Sequence, residues 1–313
     1  MSTLKCLVID AVHDSLFSML AEIGWEADYQ PDISRNQIKA VLSGYAGLIL
    51  RSKTNVDQDL LGEHPNIKFV GRAGAGLDML DMKYLTDKGI AVLHASEGNR
   101  DAVGEFTVGL LLSLLRNIPK ADRGVKEFIW DREGNRGEEI MGKTVGIIGY
   151  GNMGNAFARR LAGFECNVLA FDKYKTGFSD KFCKEVQMNS IEEEADILSL
   201  HIPLTLETRN LVNLNYLTRF KKRIILINTA RGEIVSLSDL AEMMDAGRVR
   251  GAALDVLENE KLDKLTNEQL LAFNLLRNRP NVVFTPHVAG WTFDSHIKIN
   301  VALVQKIKAL QLA

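Results

Sequence analysis

Residues 142–172 read GKTVGIIGYGNMGNAFARRLAGFECNVLAFD. Thr144–Gly149 is an apolar run that predicts a strand, and Met153–Phe164 has the spacing of an amphipathic helix. Gly149, Gly151 and Gly154 stand at the junction, and a second apolar run, Asn167–Phe171, closes on Asp172, 18 residues beyond Gly154. A lone G-x-G-x-x-G is weak evidence. Strand, glycine turn, helix, second strand and terminal acid in this order make up the dinucleotide-binding unit. Gly149 permits the tight turn, Gly151 lets the backbone approach a pyrophosphate, and Gly154 lets helix and strand pack closely. The helix start at Asn152 and Met153 offers N–H groups and the positive end of its dipole to phosphates. Asp172 can accept hydrogen bonds from both hydroxyls of an adenosine ribose and would repel a 2′-phosphate. NAD is therefore expected over NADP, although Lys173 and Lys175 weaken the exclusion.

Outward from this unit, short apolar runs alternate with helical spacings along almost the whole chain. Upstream, Leu4–Asp10, Ala46–Arg51, Lys68–Arg72 and Ile90–His94 predict strands, with helices over Ser15–Ile23, Gln37–Leu42 and Asp78–Lys88. Downstream, strands are predicted at Asp196–Ile202, Ile224–Asn228, Gly251–Leu257 and Asn281–Thr285. This βαβα order implies parallel sheets covered on both faces. One long helix, Asp101–Val125, is expected to pass from the first series to the second, and Phe293–Leu310 is a closing helix too late to belong to the second sheet. The predicted fold is α/β with two doubly wound parallel-sheet domains. A discontinuous flavodoxin-like substrate domain (1–96 and 287–313) would carry an inserted Rossmann NAD-binding domain (97–286).

Composition narrows the function classes. The 313 residues are 46% hydrophobic and 25% charged, ordinary for a folded two-domain chain. With a net charge of −2 there is no basic field to hold nucleic acid, and the longest apolar run, Val108–Leu115, falls far short of the ~20 residues of a membrane span. The N-terminus lacks signal-peptide anatomy. Cys6, Cys166 and Cys183 are odd in number and lack metal-ligand spacing, which suits a reducing cytoplasm and no metal site. An anionic small molecule remains a fitting ligand, held by local cations.

Six histidines, His13, His64, His94, His201, His287 and His296, are candidates for acid–base work. His287 stands out, because it follows a predicted strand in Thr285-Pro286-His287, and strand carboxyl ends are where α/β proteins place their chemistry. Arg231 in NTARGE (228–233), Asp255 in GAALDVLENE (251–260) and Glu260 stand at or just beyond other strand ends.

Together with GYGNMG, Asp172, the stretch DILSLHIPLTLETRNLV (196–212) and TPHVAG (285–290), these segments resemble the D-isomer-specific 2-hydroxyacid dehydrogenases over nearly the full length. The resemblance implies that His287 is the general acid/base, Glu260 its partner, and Arg231 the binder of substrate carboxylate and carbonyl. It places Asp255 on the nicotinamide carboxamide, and His201, Ile202 and Pro203 on the adenine side, His201 without a catalytic role. Thr229 and Ala230 fall among the cofactor-binding residues. The chemistry wants the same residue types. Hydride leaves C2 only as the hydroxyl proton is removed, so a base that titrates near neutrality must touch that oxygen. A neighbouring carboxylate stabilises the imidazolium, and an arginine binds a carboxylate bidentately. One departure stands out: the family often has Glu-Pro where this chain has Glu260-Lys261, so the loop carrying Glu260 could be displaced from the histidine.

Within the family, Leu50-Arg51-Ser52-Lys53-Thr54, the run Val70–Asp78 and Asn99 are most similar to D-3-phosphoglycerate dehydrogenases, the enzymes of the first step of serine biosynthesis. That resemblance implies Arg51, Ser52 and Lys53 for a substrate phosphate, Asn99 near the carbon chain, and the amides around Ala75 and Gly76 for the carboxylate. A homodimer is expected on the same basis, with Trp130, Arg132 and Arg136 toward the partner. Longer relatives append a serine-binding regulatory domain; with the chain stopping at Ala313, feedback through such a module is not expected. A glyoxylate/hydroxypyruvate reductase or a broader D-2-hydroxyacid dehydrogenase is the alternative, and it would leave the Arg51–Lys53 cluster without a partner. NAD(H)-sensing transcriptional corepressors share the architecture but bind peptides or proteins, and this chain shows no tails for them.

Overall fold

A computed structural model describes residues 4–63 and 65–311; His64 lies outside them. The chain divides into two compact units, Met1–Arg100 with Trp291–Ala313, and Asp101–Gly290.

Unit 1 runs β1 (Leu4–Val8), α1 (Ser15–Glu22), β2 (Trp25–Tyr29), α2 (Arg35–Val41), β3 (Gly47–Leu50), α3 (Gln58–Leu61), β4 (Phe69–Arg72), α4 (Met82–Asp87) and β5 (Ala91–His94). Its five strands are parallel in the order β2-β1-β3-β4-β5, the flavodoxin-like arrangement. Successive strand residues point to opposite faces, so Leu7, Leu48, Leu50 and Val70 build one core while Cys6, Val8, Ile49 and Phe69 build the other. The second core is closed by Ile299, Leu303, Val304 and Ile307 of the C-terminal helix, Phe293–Ala309.

Between β5 and the second sheet the chain forms α5 (Ser96–Leu115) and α6 (Ile118–Lys126), not the single helix Asp101–Val125 expected from the pattern. The break is at Asn117, whose φ of 54° is left-handed, and Pro119 stands in the first turn of α6. A proline there has no amide hydrogen for the preceding turn and its ring clashes with it, while asparagine tolerates the left-handed geometry.

Unit 2 continues with β6 (Thr144–Ile148), α7 (Asn152–Leu161), β7 (Asn167–Phe171), β8 (Lys184–Glu185), α8 (Met188–Glu194), β9 (Ile197–Leu200), α9 (Leu214–Leu217), β10 (Ile224–Asn228), α10 (Leu237–Asp245), β11 (Val249–Leu254), α11 (Asn267–Arg277) and β12 (Val282–Phe284); the C-terminal helix is α12. Seven parallel strands lie in the order β12-β11-β10-β9-β6-β7-β8, a Rossmann sheet. β10 displays the logic: Ile224 and Leu226 enter one core, Ile225 and Ile227 the other. Two strands, β2 and β8, are not expected from the pattern. Both are edge strands, partly exposed, and so lack the continuous apolar run of a buried one. Among the described residues no helix is long and apolar enough to cross a membrane.

Candidate active site

Because all strands of unit 2 are parallel, the loops at residues 149–151, 201–203, 229–232, 255–260 and 285–290 leave the same edge of its sheet. The glycine turn after β6 has the properties a pyrophosphate site needs. Gly149 has φ 91°, and a Cβ there would lie 2.5 Å from the His201 carbonyl oxygen. A Cβ at Gly154 would overlap the Gly149 carbonyl, whereas one at Gly151 would meet nothing within 4 Å. The two outer glycines are required by the protein itself, and the middle one faces open space. Asn152 and Met153 begin α7.

Asp172 follows β7 and is held in place by backbone donors. Its Oδ2 accepts from the Tyr150 N–H at 2.8 Å, and Oδ1 from the N–H of Tyr174 at 2.9 Å and of Lys175 at 3.1 Å. Lys173 is drawn off by Glu207 at 2.5 Å, and Lys175 Nζ reaches the Tyr150 carbonyl at 3.4 Å. His201 leads into Ile202 and Pro203 after β9; its Nε2 lies 2.9 Å from Ser199 Oγ, and burial pushes its pKa down to about 3. It therefore stays neutral at ordinary pH.

After β10 the turn is buckled by Asn228, which is fully buried. Its Oδ1 accepts from the Ala230 N–H at 3.0 Å and its Nδ2 donates to the Arg231 carbonyl at 2.9 Å. Thr229 Oγ1 lies 3.3 Å from Thr107 Oγ1, and Arg231 Nη1 donates to the Ala230 carbonyl at 2.6 Å. A Cβ at Gly232 would overlap the Leu257 carbonyl, so the Arg231 turn and the loop after β11 are in backbone contact.

That second loop carries Glu260, and the altered Glu260-Lys261 junction has not displaced it. Nδ1 of His287 lies 2.8 Å from Glu260 Oε1 and 3.0 Å from Oε2. With Nδ1 donating to a carboxylate, the neutral ring presents Nε2 as its free acceptor. His287 itself has φ 55°, a left-handed conformation that a side chain disfavours. Its N–H donates to the Asp255 carbonyl at 2.8 Å.

The Asp255 side chain is engaged by its own loop. It is 1% exposed, and it accepts from Thr285 Oγ1 at 2.5 Å, the Val288 N–H at 3.0 Å and the Ala289 N–H at 2.8 Å. Three donors of the histidine loop thus occupy the carboxylate foreseen for the nicotinamide carboxamide, leaving one lone pair on Oδ2. Asn228, fully buried at the end of β10, is a loop-holding residue that a reading for ligand contacts overlooks; its signal is a polar residue at the end of a fully apolar strand. Glu258 is a second. Its Oε1 accepts from the Leu237 N–H at 2.7 Å, and burial together with Glu268, Asp239 and Glu233 pushes its carboxyl above the usual range.

In unit 1, the N–H groups of Arg51, Ser52 and Lys53 do not face outward to an anion. All three donate to Oδ2 of Asp10, at 2.6, 2.9 and 3.1 Å. The Lys53 ammonium bonds the Pro31 carbonyl and lies 3.4 Å from that of Ile33, so in this structure it braces a neighbouring loop. The Arg51 guanidinium donates to the Ala11 carbonyl at 3.3 Å and forms no ion pair among the described residues. The amides of Ala75 and Gly76 find no protein acceptor among the described residues, and the buried Oδ1 of Asn99 has no hydrogen-bond partner.

Residues 108–289 match the family described as D-isomer specific 2-hydroxyacid dehydrogenase, NAD binding domain. This chain belongs to that family. The D-3-phosphoglycerate dehydrogenase of Archaeoglobus fulgidus is 33% identical over 306 residues, 97% of this chain and 56% of that protein. The hydroxypyruvate reductase of Thermotoga maritima is likewise 33% identical, over 88% of each chain. The chain thus spans little more than half the length of the first relative and most of the second. Among solved structures, D-lactate dehydrogenase from Aquifex aeolicus, complexed with NAD and lactic acid, is 25% identical with a TM-score of 0.82, over 98% of this chain and 95% of that one. The Rossmann unit of this dehydrogenase family member is therefore an NAD-binding domain, and its turn around Gly151 has the open backbone such a cofactor needs.

Proposed function

We propose that the chain is an NAD-dependent D-3-phosphoglycerate dehydrogenase. The observation that carries the phosphorylated substrate is Arg51, a strand-end guanidinium with no ion-pair partner among the described residues. Gly149, Gly151, Gly154 and the start of α7 would hold the pyrophosphate, and Asp172 the adenosine ribose. Bound NAD would supply the acceptor for the C2 hydride. His287 would take the C2 hydroxyl proton on Nε2, since Nδ1 is engaged, and Glu260 would balance the imidazolium that results. Arg231 would bind the carboxylate and polarise the C2 oxygen, and Ala75, Gly76 and Asn99 are suited to the carboxylate end. Phe128 and Trp130, 99% and 80% exposed, support a homodimer that covers them.

A hydroxypyruvate or glyoxylate reductase is the second reading. It is favoured by Lys53, which is turned away, and by Asp10, whose carboxylate occupies the turn amides. Initial rates with phosphohydroxypyruvate and hydroxypyruvate plus NADH separate the two. Arg51→Ala should raise KM for the phosphorylated substrate roughly 10- to 100-fold, the loss of one charge-assisted bond, and change that for hydroxypyruvate much less. Preference of the unaltered protein for hydroxypyruvate would overturn the first reading in favour of the second.

A further inference from the structure

Two lysines, Lys173 and Lys175, follow Asp172, and a 2′-phosphate on the adenosine ribose would be drawn to both. The structure shows how each is engaged. β6, which carries the glycine turn, lies between β9 and β7. The three strand ends are laced together: the Gly149 N–H donates to the Phe171 carbonyl and the His201 N–H to that of Ile148, both at 2.8 Å. The loops after β7 and β9 therefore flank the turn on its two sides. From the first loop, Lys173 Nζ reaches Glu207 Oε2 of the second at 2.5 Å, and the Tyr174 hydroxyl donates to the same oxygen at 2.8 Å. The Lys173 ammonium also lies 5.4 Å from the centre of the Tyr174 ring. Lys175 turns the other way, with its ammonium 3.4 Å from the Tyr150 carbonyl on the glycine turn itself.

Glu207 is held in place by its own loop. Thr205 and Thr208 flank it and bond reciprocally, the Thr205 N–H to Thr208 Oγ1 at 2.8 Å and the Thr208 N–H to Thr205 Oγ1 at 3.3 Å. Thr208 Oγ1 in turn donates to the Pro203 carbonyl at 2.7 Å, which fastens the turn to the His201-Ile202-Pro203 segment. The hydrogen bonds from Lys173 and then Tyr174 hold the Glu207 carboxyl below its usual range, so it stays ionised at neutral pH. Both members of the ion pair are more than half exposed, and such a pair adds little to stability. Its effect lies in the field around Asp172. A free Lys173 would offset the negative charge of Asp172; paired with Glu207 it no longer does, and the three groups together are net negative.

We propose that Glu207 is a specificity-determining residue for the cofactor, excluding a 2′-phosphorylated dinucleotide by neutralising Lys173. The inference rests on the placement of Asp172 at the adenosine ribose in the proposed function. Two acids then act on one phosphate position. Asp172 fills the backbone donors that could cradle a 2′-phosphate, since its Oδ1 takes the N–H groups of Tyr174 and Lys175. Glu207 withdraws the side-chain cation that would pair with that phosphate. Because it acts through Lys173, Glu207 is a positioning residue.

Binding of nucleotide fragments tests this without turnover. 5′-AMP carries the adenosine end of NAD and 2′,5′-ADP that of NADP, and each is read by its displacement of bound NADH, followed by fluorescence. The unaltered protein should prefer 5′-AMP. Glu207→Gln keeps an acceptor for the Tyr174 hydroxyl, so the two loops stay tied, but it releases the charge of Lys173. It should shift the ratio of the two affinities roughly 3- to 10-fold toward 2′,5′-ADP. Glu207→Lys should shift it further, roughly 10- to 100-fold. Adding Lys173→Met to Glu207→Gln should erase the gain, a result that a merely structural role for Glu207 would not give. If Glu207→Gln strengthens both fragments equally, the bridge is a strap across the adenosine and the proposal is overturned. A ratio unmoved by either Glu207 variant overturns it as well. The underlying placement fails differently: Asp172→Ala would then leave 5′-AMP binding unchanged, and both readings fall. Weakened 5′-AMP binding in Asp172→Ala, beside an unmoved ratio in the Glu207 variants, keeps the ribose placement and overturns this inference alone.

Discussion

Replacing Asp255 with asparagine should disable His287 without touching it. The carboxylate accepts from Thr285 Oγ1, Val288 N–H and Ala289 N–H, and so fixes the loop on both sides of the histidine. Asparagine keeps one acceptor oxygen. If that oxygen serves Thr285 and Val288, its NH2 group confronts the Ala289 N–H, donor against donor, in a buried place. Losing the charge-assisted bond and leaving that donor unsatisfied costs about 1.5–3 kcal/mol. His287 also sits at φ 55°, a conformation that costs about 1–2 kcal/mol for a residue with a side chain and persists only while the surroundings enforce it. A tilt of about 3 kcal/mol toward the released loop corresponds to a loss of up to about 100-fold in the competent population. We expect Asp255→Asn to lower kcat roughly 10- to 100-fold, with KM for NADH within about threefold, because the Gly149–Gly154 turn is not attached to this loop. The assay is NADH oxidation followed by absorbance, with thermal unfolding in parallel. A kcat within twofold of the unaltered protein would refute the loop argument. A raised KM for NADH with kcat preserved would return Asp255 to the nicotinamide carboxamide.

Three further predictions follow from the same geometry. Asp172→Ala should raise KM for NAD roughly 10- to 100-fold, read from initial rates, and equal use of NADP and NAD by the unaltered protein would contradict the role given to Asp172. His287→Ala should cut turnover ~10²–10⁴-fold with NADH binding nearly intact by fluorescence, whereas Glu260→Gln should leave activity but make the reductive rate fall off at lower pH, since the imidazolium loses its balancing charge; an unchanged pH profile would mean that Glu260 does not influence the ring. Glu258→Gln keeps an acceptor for the Leu237 N–H and removes a buried charge, so it should raise Tm by about 1–3 °C near neutral pH. Its carboxyl is raised in the folded state, so the gain exists only above the unfolded carboxyl range and should vanish as pH falls through it; a gain that persists in acid would refute this cause.

How much of this could be read in advance depended on how local each cause is. β7 and β10 have the limits expected for them because a parallel strand buried on both faces is written as an unbroken apolar run. β2 and β8 face water along one side, and nothing in Trp25–Tyr29 separates them from a loop. The break at Asn117 had its signal in Pro119, outweighed by the long amphipathic pattern around it. In the site, the glycine spacing was legible since each glycine answers to neighbours within a few residues. Lys53 was not. Its direction is set by carbonyls at Pro31 and Ile33, about 20 positions upstream, and the amides beside it are claimed by Asp10 from the end of another strand. The Trp291 indole meets Arg51 across 240 positions of sequence, a contact that only the return of α12 creates.

The return of α12 also orders events during synthesis. Unit 2 is continuous and has every strand of its sheet once Phe284 has emerged from the ribosome. Unit 1 is made first and finished last: until Ile299, Leu303 and Ile307 arrive, the face of its sheet bearing Ile49 and Phe69 has only α1, through Leu16 and Leu20, as cover. A nascent chain therefore carries a partly uncovered apolar sheet face through the translation of nearly two hundred residues, the interval in which chaperone capture or mispairing of that face would occur.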